Sequence, residues 1–166
     1  PTPRAAGLRT DPFRAVSPPY RRYSVATKAG FPPLRETMRY LFFTNTPAHV
    51  HLYRHAIDRL EAAGHEVLVL GRDYGCTKAL LEFYDLPHEM YGACETTKFS
   101  LVREVPGHFA RIFRETLRYG PDLVFGIGSY AAPAGALARA PVVLITDSEP
   151  VAFDQFVSRT LADAIL

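Results

Sequence analysis

From residue 38 onward, short apolar runs alternate with segments in which apolar residues recur at helical spacing. The runs predict strands at about 40–44, 66–71, 88–91, 122–127 and 141–146. The periodic segments predict helices at 48–63, 77–84 and 99–119, the last of them interrupted at Pro106-Gly107. Strands that alternate with helices are typical of a parallel α/β sheet. We therefore predict a Rossmann-like sheet with helices on both faces.

The composition fits one domain with one substantial core, because 48% of the 166 residues are hydrophobic. Cys76 and Cys94 are eighteen positions apart and form no Cys-x-x-Cys motif, which indicates neither a disulfide framework nor a zinc site. The longest uncharged stretch, residues 123–138, is short and broken by glycine and proline, so no transmembrane segment is expected. We predict a soluble, cytoplasmic protein.

The first forty residues differ from the rest in charge and in proline content. They hold eight basic residues, two acidic residues and seven of the fourteen prolines. Such a composition predicts a disordered basic leader over residues 1–37, with a transit peptide or a nucleic-acid arm as alternatives. We expect no nucleic-acid partner. We hypothesise a native start at Met38, directly before the first strand, so that residues 38–166 form the domain. A new apolar run at 162–166 indicates a strand that is cut off, as in the front half of a longer protein.

Polar residues follow the first predicted strand, where the ligand crevice of an open parallel sheet lies. Asn45 and Thr46 are suitable N-cap residues, and Pro47 suits the first helical turn, so the backbone amides there could bind an anion or a sugar oxygen. A well-capped helix without a ligand is the alternative. His49 and His51 lie in the first turns, where the positive end of the helix dipole disfavours imidazolium.

Arg72 and Asp73 follow the second predicted strand and would reach the same edge of the sheet. Arg72 offers a planar donor fork for phosphate or carboxylate, and Asp73 can accept hydrogen bonds from sugar hydroxyls or cap the next helix. His51 and His55 have the spacing of paired metal ligands, but no third ligand is evident in the sequence. We therefore predict no metal site.

A glycine motif, Gly126-Ile127-Gly128-Ser129-Tyr130-Ala131, follows the fourth predicted strand. With Asp147 at the end of the next strand, it matches a dinucleotide-binding fingerprint and raises NAD as a ligand. However, that fingerprint normally follows the first strand, and Pro133 shortens the helix behind it. A glycine turn at a helix start can bind other anionic or hydroxyl-rich ligands equally well.

Four motifs thus follow successive strands: Asn45-Thr46-Pro47-Ala48-His49-Val50-His51, Arg72-Asp73-Tyr74 with Thr77, Gly128-Ser129, and Asp147-Ser148-Glu149. Together they resemble an uncharacterised prokaryotic domain-of-unknown-function family, which is similar to UDP-N-acetylglucosamine 2-epimerases and to GT-B glycosyltransferases that use UDP-N-acetylglucosamine. The resemblance covers residues 39 to the end and implies the N-terminal domain of a GT-B-like two-domain fold. The sequence departs from that family at Phe43, where Asp is usual, and at Pro150, where His is common.

The resemblance implies an enzyme whose partners are a nucleotide-sugar and a glycosyl acceptor, with no further cofactor. The implied catalytic residues are His49 or His51 as general base, with Asp147 and Glu149 acting on sugar hydroxyls. The implied binding residues are Asn45, Thr46, Arg72, Asp73, Gly128 and Ser129. Glycosyl transfer ranks first, followed by 2-epimerase chemistry, an NAD-dependent oxidoreductase and a non-catalytic binding module. A homodimer is left open, and this fragment alone is expected to be inactive.

Overall fold

The computed structural model describes residues 35–93, 98–127, 130–145 and 160–165, and within 98–104 it describes the backbone alone. The strands are β1 (Arg39–Thr44), β2 (Glu66–Asp73), β3 (His88–Ala93), β4 (Leu123–Gly126), β5 (Val142–Leu144) and β6 (Ala164–Ile165). The helices are α1 (Pro47–Ala62), α2 (Thr77–Phe83), α3 (Lys98–Tyr119) and α4 (Ala131–Ala138). The five predicted strands are confirmed, with their ends shifted by one to two residues.

The strands of the described residues form one sheet in the order β3-β2-β1-β4-β5-β6, and all neighbouring pairs are parallel. Right-handed connections place α1 and α2 on one face and α3 and α4 on the other. Val50 and Ile57 of α1 belong to the apolar cluster on the first face, while Ile112 of α3 and Ala134 of α4 belong to the cluster on the second. The predicted Rossmann-like fold is confirmed, and its strand order reverses between β1 and β4.

Helix α1 begins and ends where the sequence indicates. Pro47 occupies the first turn, where its missing N–H costs nothing, and Thr46 before it has extended backbone angles. Thr46 makes no side-chain capping hydrogen bond, however, so the predicted cap is present in backbone conformation only. Gly64 follows the helix with a φ of +83°, a left-handed conformation that favours glycine.

Helix α3 corrects one prediction, because it runs without a break through Pro106. Pro106 and Gly107 are both exposed, so the proline ring lies on the solvent side of the helix and does not disturb its packing on the sheet. The turns that follow present Ile112 and Thr116 as fully buried residues against the sheet. Packing of this second half stabilises the helix, which explains why the proline does not end it.

The amino ends of β1 and β4 are joined through Asp122. Its Oδ2 accepts the backbone N–H of Arg39 at 2.9 Å, and its Oδ1 lies 3.4 Å from the guanidinium of Arg35. The Arg39 side chain donates to the carbonyl of Tyr119 at 2.7 Å, at the end of α3. Exposed charged groups therefore organise this end of the sheet.

A cavity of about 630 Å³ lies between α1 and the β4–β5 half of the sheet. Its lining is almost wholly apolar and includes Phe42, Leu52, Leu123, Phe125 and Ile145. This cavity lies on a face of the sheet rather than at the carboxyl ends of the strands, and it offers few groups for polar chemistry. Among the described helices, none is long and apolar enough to cross a membrane.

Candidate active site

Asn45 bridges the two strands at which the strand order reverses. It comes directly after β1, and its Nδ2 donates to the backbone carbonyl of Ile127, just beyond β4, at 2.8 Å. Its Oδ1 accepts a hydrogen bond from the hydroxyl of Tyr91 on β3, also at 2.8 Å. Both ends of the amide are thereby used, so this side chain holds the loop of β1 against its neighbours instead of capping α1 as its sequence position suggested.

His49 lies in the first turn of α1 and is 7% exposed. The backbone N–H of Asn45 donates to its Nδ1 at 3.1 Å. A backbone amide can only donate, so Nδ1 must be the unprotonated nitrogen of a neutral ring, and the proton resides on Nε2. In this tautomer Nε2 is a donor, and His49 has no ring nitrogen left with which to accept a proton. This geometry favours a donor role for His49, while the general-base role stays a prediction.

Tyr91 sits at a β-bulge in β3 and is 2% exposed. Gly71 pairs with Met90 while the next residue of β2, Arg72, pairs with Gly92, so Tyr91 is the extra residue. The bulge turns Tyr91 and Gly92 toward the same face, since Tyr91 belongs to the cluster beneath α3 and Gly92 lies against His108 of α3. This local irregularity brings the phenol under the loop that follows β1.

An aromatic cluster supports Tyr91. Its ring contacts His108 edge-on at a centroid distance of 5.8 Å and Tyr130, at the start of α4, at 5.5 Å. Phe109 contacts Tyr130 at 5.2 Å. A side chain on Gly92 would place its Cβ 2.1 Å from Nε2 of His108, so the glycine makes room for the buried imidazole.

Sequence reasoning missed Tyr91 and His108, although signals for both were present. Tyr91 ends the predicted strand 88–91 and precedes a glycine, at the same edge of the sheet as the other candidates. His108 is four residues before Ile112 and eight before Thr116, so it shares their inward-facing stripe on α3. A histidine on an apolar stripe is readily overlooked when only apolar periodicity is followed.

The loop after β2 lies beside the loop after β1. Gly75 has a φ of +58°, and a Cβ at this position would be 3.6 Å from Cγ of Pro47. Arg72 is half-buried, and its Nε is buried without a hydrogen-bond partner in the described part of the chain. Asp73 is exposed and does not cap α2, whose N-cap residue is Cys76. The structure therefore places Arg72 and Asp73 at the same edge as Asn45 and His49.

His51 lies apart from this group of residues. It is exposed, and its Nδ1 is 3.4 Å from the hydroxyl of Tyr84, which follows α2. The guanidinium of Arg54 lies over the same Tyr84 ring at 4.8 Å. His51 therefore lies on the surface between α1 and α2. Its neighbour Tyr84 is not part of the group of residues around Asn45 and His49.

The remaining predicted site residues, Gly128, Ser129, Asp147 and Glu149, lie outside the described residues. Gly126, the first glycine of the suggested dinucleotide motif, is described and buried. A Cβ on Gly126 would approach Cβ of Ala131 to 2.3 Å, so close packing of α4 on β4 already accounts for this glycine. Within the described residues, no group of three or more His, Cys, Asp or Glu side chains is arranged to hold a metal ion.

Comparison with solved structures gives the same fold in enzymes of two kinds. A UDP-GlcNAc 2-epimerase from Neisseria meningitidis, bound to UDP-GlcNAc, aligns with a TM-score of 0.59 and 12% identity over 75% of this chain and 39% of its own. MurG of Acinetobacter baumannii aligns with a TM-score of 0.59 and 18% identity over 76% of this chain and 40% of its own. A glycosyltransferase from Streptomyces nogalater aligns with a TM-score of 0.52 and 22% identity, over 75% and 39% of the two chains.

These similarities establish the fold: the chain is α/β and Rossmann-like and has the architecture of the N-terminal domain of a GT-B-like protein. They agree with the similarity to 2-epimerases and GT-B glycosyltransferases expected from the sequence motifs. The chain spans about two fifths of the length of the first two structures, 39% and 40%. No family model and no curated protein matches the chain.

Proposed function

We propose that this chain is the N-terminal, acceptor-side domain of a GT-B-like glycosyltransferase that acts with a nucleotide-sugar such as UDP-N-acetylglucosamine. The observation that carries the proposal is the bridge from Asn45 to Ile127 at 2.8 Å. It fixes two loops on either side of the point where the strand order reverses, which is where open α/β sheets bind ligands. Neighbours with this fold include a glycosyltransferase from Streptomyces nogalater. The sequence motifs of this chain follow the carboxyl ends of its predicted strands.

In this proposal, the described residues bind and orient the acceptor. Arg72, whose Nε has no partner among the described residues, would pair with an anionic or hydroxyl-rich group. His49 would donate from Nε2, as its contact with the N–H of Asn45 requires. Thr46 and Asp73 would contribute further polar contacts from the two neighbouring loops, with Gly128 and Ser129 approaching from the third.

In this proposal a carboxylate acts as the general base, because the His49 tautomer leaves no ring nitrogen to accept a proton. Asp147 and Glu149 follow β5 and are the candidates. One of them would take the proton of the acceptor hydroxyl as the acceptor oxygen bonds to the anomeric carbon and the bond from that carbon to UDP breaks. UDP leaves with the electron pair of the broken bond.

A 2-epimerase acting on UDP-N-acetylglucosamine is the second candidate. The epimerase from Neisseria meningitidis and MurG have equal TM-scores of 0.59, so fold similarity does not separate them. No described feature favours NAD, since Gly126 is explained by packing against Ala131. We also propose a cytoplasmic location, where a UDP-sugar would be available, and a homodimer as an alternative to a monomer.

Thermal-shift measurement on the complete gene product tests the proposal, with UDP, UDP-N-acetylglucosamine, NAD and NADP as ligands. Binding to the native state raises the melting temperature by mass action. We expect stabilisation by UDP and UDP-N-acetylglucosamine and none by the dinucleotides. Stabilisation by NAD alone would overturn the proposal, and no response to any of the four would favour a binding module. Conversion of UDP-N-acetylglucosamine to its 2-epimer would select the second candidate.

Variants then assign roles within the complete protein. Asp147→Asn and Glu149→Gln are expected to include at least one that loses about 10²–10⁴-fold in turnover while folding normally. His51→Ala serves as the matched control, because His51 contacts the surface residue Tyr84 and not the site. A loss on His51→Ala as large as that on either carboxylate variant would contradict the assignment.

A further inference from the structure

A hydrogen-bonded chain connects three strands and one helix at the candidate site. The hydroxyl of Tyr91 donates to Oδ1 of Asn45, Nδ2 of Asn45 donates to the carbonyl of Ile127, and the backbone N–H of Asn45 donates to Nδ1 of His49. The distances are 2.8, 2.8 and 3.1 Å, all within the range of good hydrogen bonds. Both polar atoms of the Asn45 side chain, Oδ1 and Nδ2, are therefore oriented by these hydrogen bonds.

We propose that Tyr91 is a positioning residue, which acts through Asn45 to hold His49 as the neutral Nε2–H tautomer. The proposal rests on the proposed function for its catalytic meaning, and it adds that His49 is a hydrogen-bond donor and not a base. Any group that faces Nε2, whether from the chain or from a substrate, then meets a fixed donor. A preorganised donor of this kind stabilises negative charge as it develops, without reorganisation during the reaction.

The bulge in β3 is what makes this arrangement available. Regular alternation would send residues 91 and 92 to opposite faces of the sheet, but the extra residue turns both toward α3. His108 then fills the space that Gly92 leaves open and contacts the Tyr91 ring edge-on. Packing against His108 therefore fixes the orientation of the Tyr91 ring, and the Tyr91 hydroxyl donates to Oδ1 of Asn45.

The orientation of the Asn45 amide follows from its two neighbours. The Ile127 carbonyl requires a donor, so Nδ2 must point to β4, and Oδ1 is left to accept the Tyr91 hydroxyl. With the side chain fixed on both sides, the backbone of residue 45 has little freedom to rotate. Its N–H stays directed at Nδ1 of His49, and loss of the Tyr91 hydroxyl would loosen this direction first.

Nuclear magnetic resonance of the imidazole nitrogens in the complete protein tests the tautomer without any substrate. We expect an unprotonated Nδ1 and a protonated Nε2 for His49 in the wild type. In Tyr91→Phe we expect averaging toward the other tautomer and faster exchange of the Asn45 amide proton with solvent. Tyr119→Phe is the matched control, since the Tyr119 hydroxyl is buried and makes no hydrogen bond within the described residues.

Kinetics give a second readout, with UDP release from UDP-N-acetylglucosamine as the measured reaction. Tyr91→Phe should lower kcat roughly 10–100-fold with a smaller change in KM, as expected when a group is slightly misplaced. His49→Gln should retain more activity than His49→Ala, because glutamine can donate from its Nε2 but cannot act as a base. Removing a donor of this kind costs about 10²–10³-fold in His49→Ala.

The two readouts separate this inference from the proposed function. If Tyr91→Phe matches Tyr119→Phe in the His49 nitrogen shifts and in amide exchange, the positioning role is overturned. If His49→Gln is as inactive as His49→Ala, the donor role is overturned in favour of a base. If the tautomer is as expected but no UDP-sugar binds, the proposed function fails and the structural part of the inference stands.

Discussion

The two ends of the sheet both contain a side chain that ties β1 to β4, and the two ties differ in kind. At the amino end, Asp122 accepts the N–H of Arg39 and lies near the guanidinium of Arg35, with charged groups open to water. At the carboxyl end, Asn45 makes the corresponding link to Ile127 with a neutral amide that also contacts Tyr91. Polar links of similar length therefore belong to a charged, largely exposed surface at one end and to a partly buried, neutral hydrogen-bond network at the other.

The difference indicates which end can carry chemistry. The charges at the amino end are paired with each other and screened by solvent, so each pair contributes little to the free energy of unfolding. At the carboxyl end, the backbone N–H of Asn45 fixes the protonation state of His49, and the loops that hold Pro47 and Gly75 lie side by side. Fixed donors in a partly buried setting are what a site for a polar substrate requires.

The largest expected effect tests how tightly the carboxyl end is packed. Gly126→Ala would place Cβ 2.3 Å from Cβ of Ala131, an atom that cannot move without shifting α4. We expect a loss of roughly 1–3 kcal/mol or more in the free energy of unfolding, measured by urea denaturation. Gly107→Ala is the control, because no described atom outside the neighbouring helix backbone lies within 4 Å of a Cβ there and α3 is helical at that residue. It should stabilise by about 0.5–1 kcal/mol.

Equal losses in Gly126→Ala and Gly107→Ala would contradict the close packing of β4 and α4. A small loss in Gly126→Ala alone would show that α4 can move away from the strand. In either case the carboxyl end would be more adaptable than the contacts of Gly126 indicate.

A reciprocal exchange of the two tying residues tests the comparison directly. Asn45→Asp would turn a carboxylate oxygen toward the Ile127 carbonyl, where Nδ2 now donates, and should cost about 1–3 kcal/mol at neutral pH. Asp122→Asn keeps an acceptor for the N–H of Arg39 and loses only the ion pair with an exposed Arg35, so it should stay within about 1 kcal/mol of wild type. Urea denaturation measures both.

The pH dependence of the Asn45→Asp variant adds a check. Its repelled carboxylate would have a folded-state pKa above the unfolded value near 4, so the stability deficit should grow as pH rises through the folded pKa. It should shrink at lower pH, where the protonated acid can donate to Ile127. Two exchanges of equal cost at neutral pH, or a deficit that does not change with pH, would refute the contrast between the ends.

The smallest effect concerns Tyr119, near the amino end. Burial, and then the negative charge of Glu66, raise the pKa of Tyr119 well above its ordinary value of 10.0. The unfolded chain ionises this phenol near pH 10 while the native state keeps it neutral, so native stability is lost as pH rises above about 10. Tyr119→Phe should therefore lose less stability than wild type between about pH 8 and pH 10.5, measured by urea midpoints. Parallel curves would mean that Tyr119 ionises freely in the native state.

Much of the fold could be predicted from the sequence because periodicity is a local property. The runs that became β1 and β2 are continuous and apolar, as expected for strands buried on both faces, and Gly64 and Gly120 end α1 and α3 with positive φ. The interruption expected at Pro106 was wrong because packing of Ile112 and Thr116 outweighs the local cost of one missing hydrogen bond. Local propensity gives way where a long buried face follows.

The sequence by itself determined the alternation of strands and helices, the edge at which polar loops gather, and the presence of Asn45, His49 and Arg72 among them. Only the tertiary structure decided what these residues do to one another. The position of Tyr91 depends on a bulge set by pairing with β2, and the tautomer of His49 depends on the direction of one backbone N–H. His51, two residues away along the chain, turns instead to Tyr84. Spacing along a chain fixes which face a residue occupies, but hydrogen-bond direction is fixed only when distant strands meet.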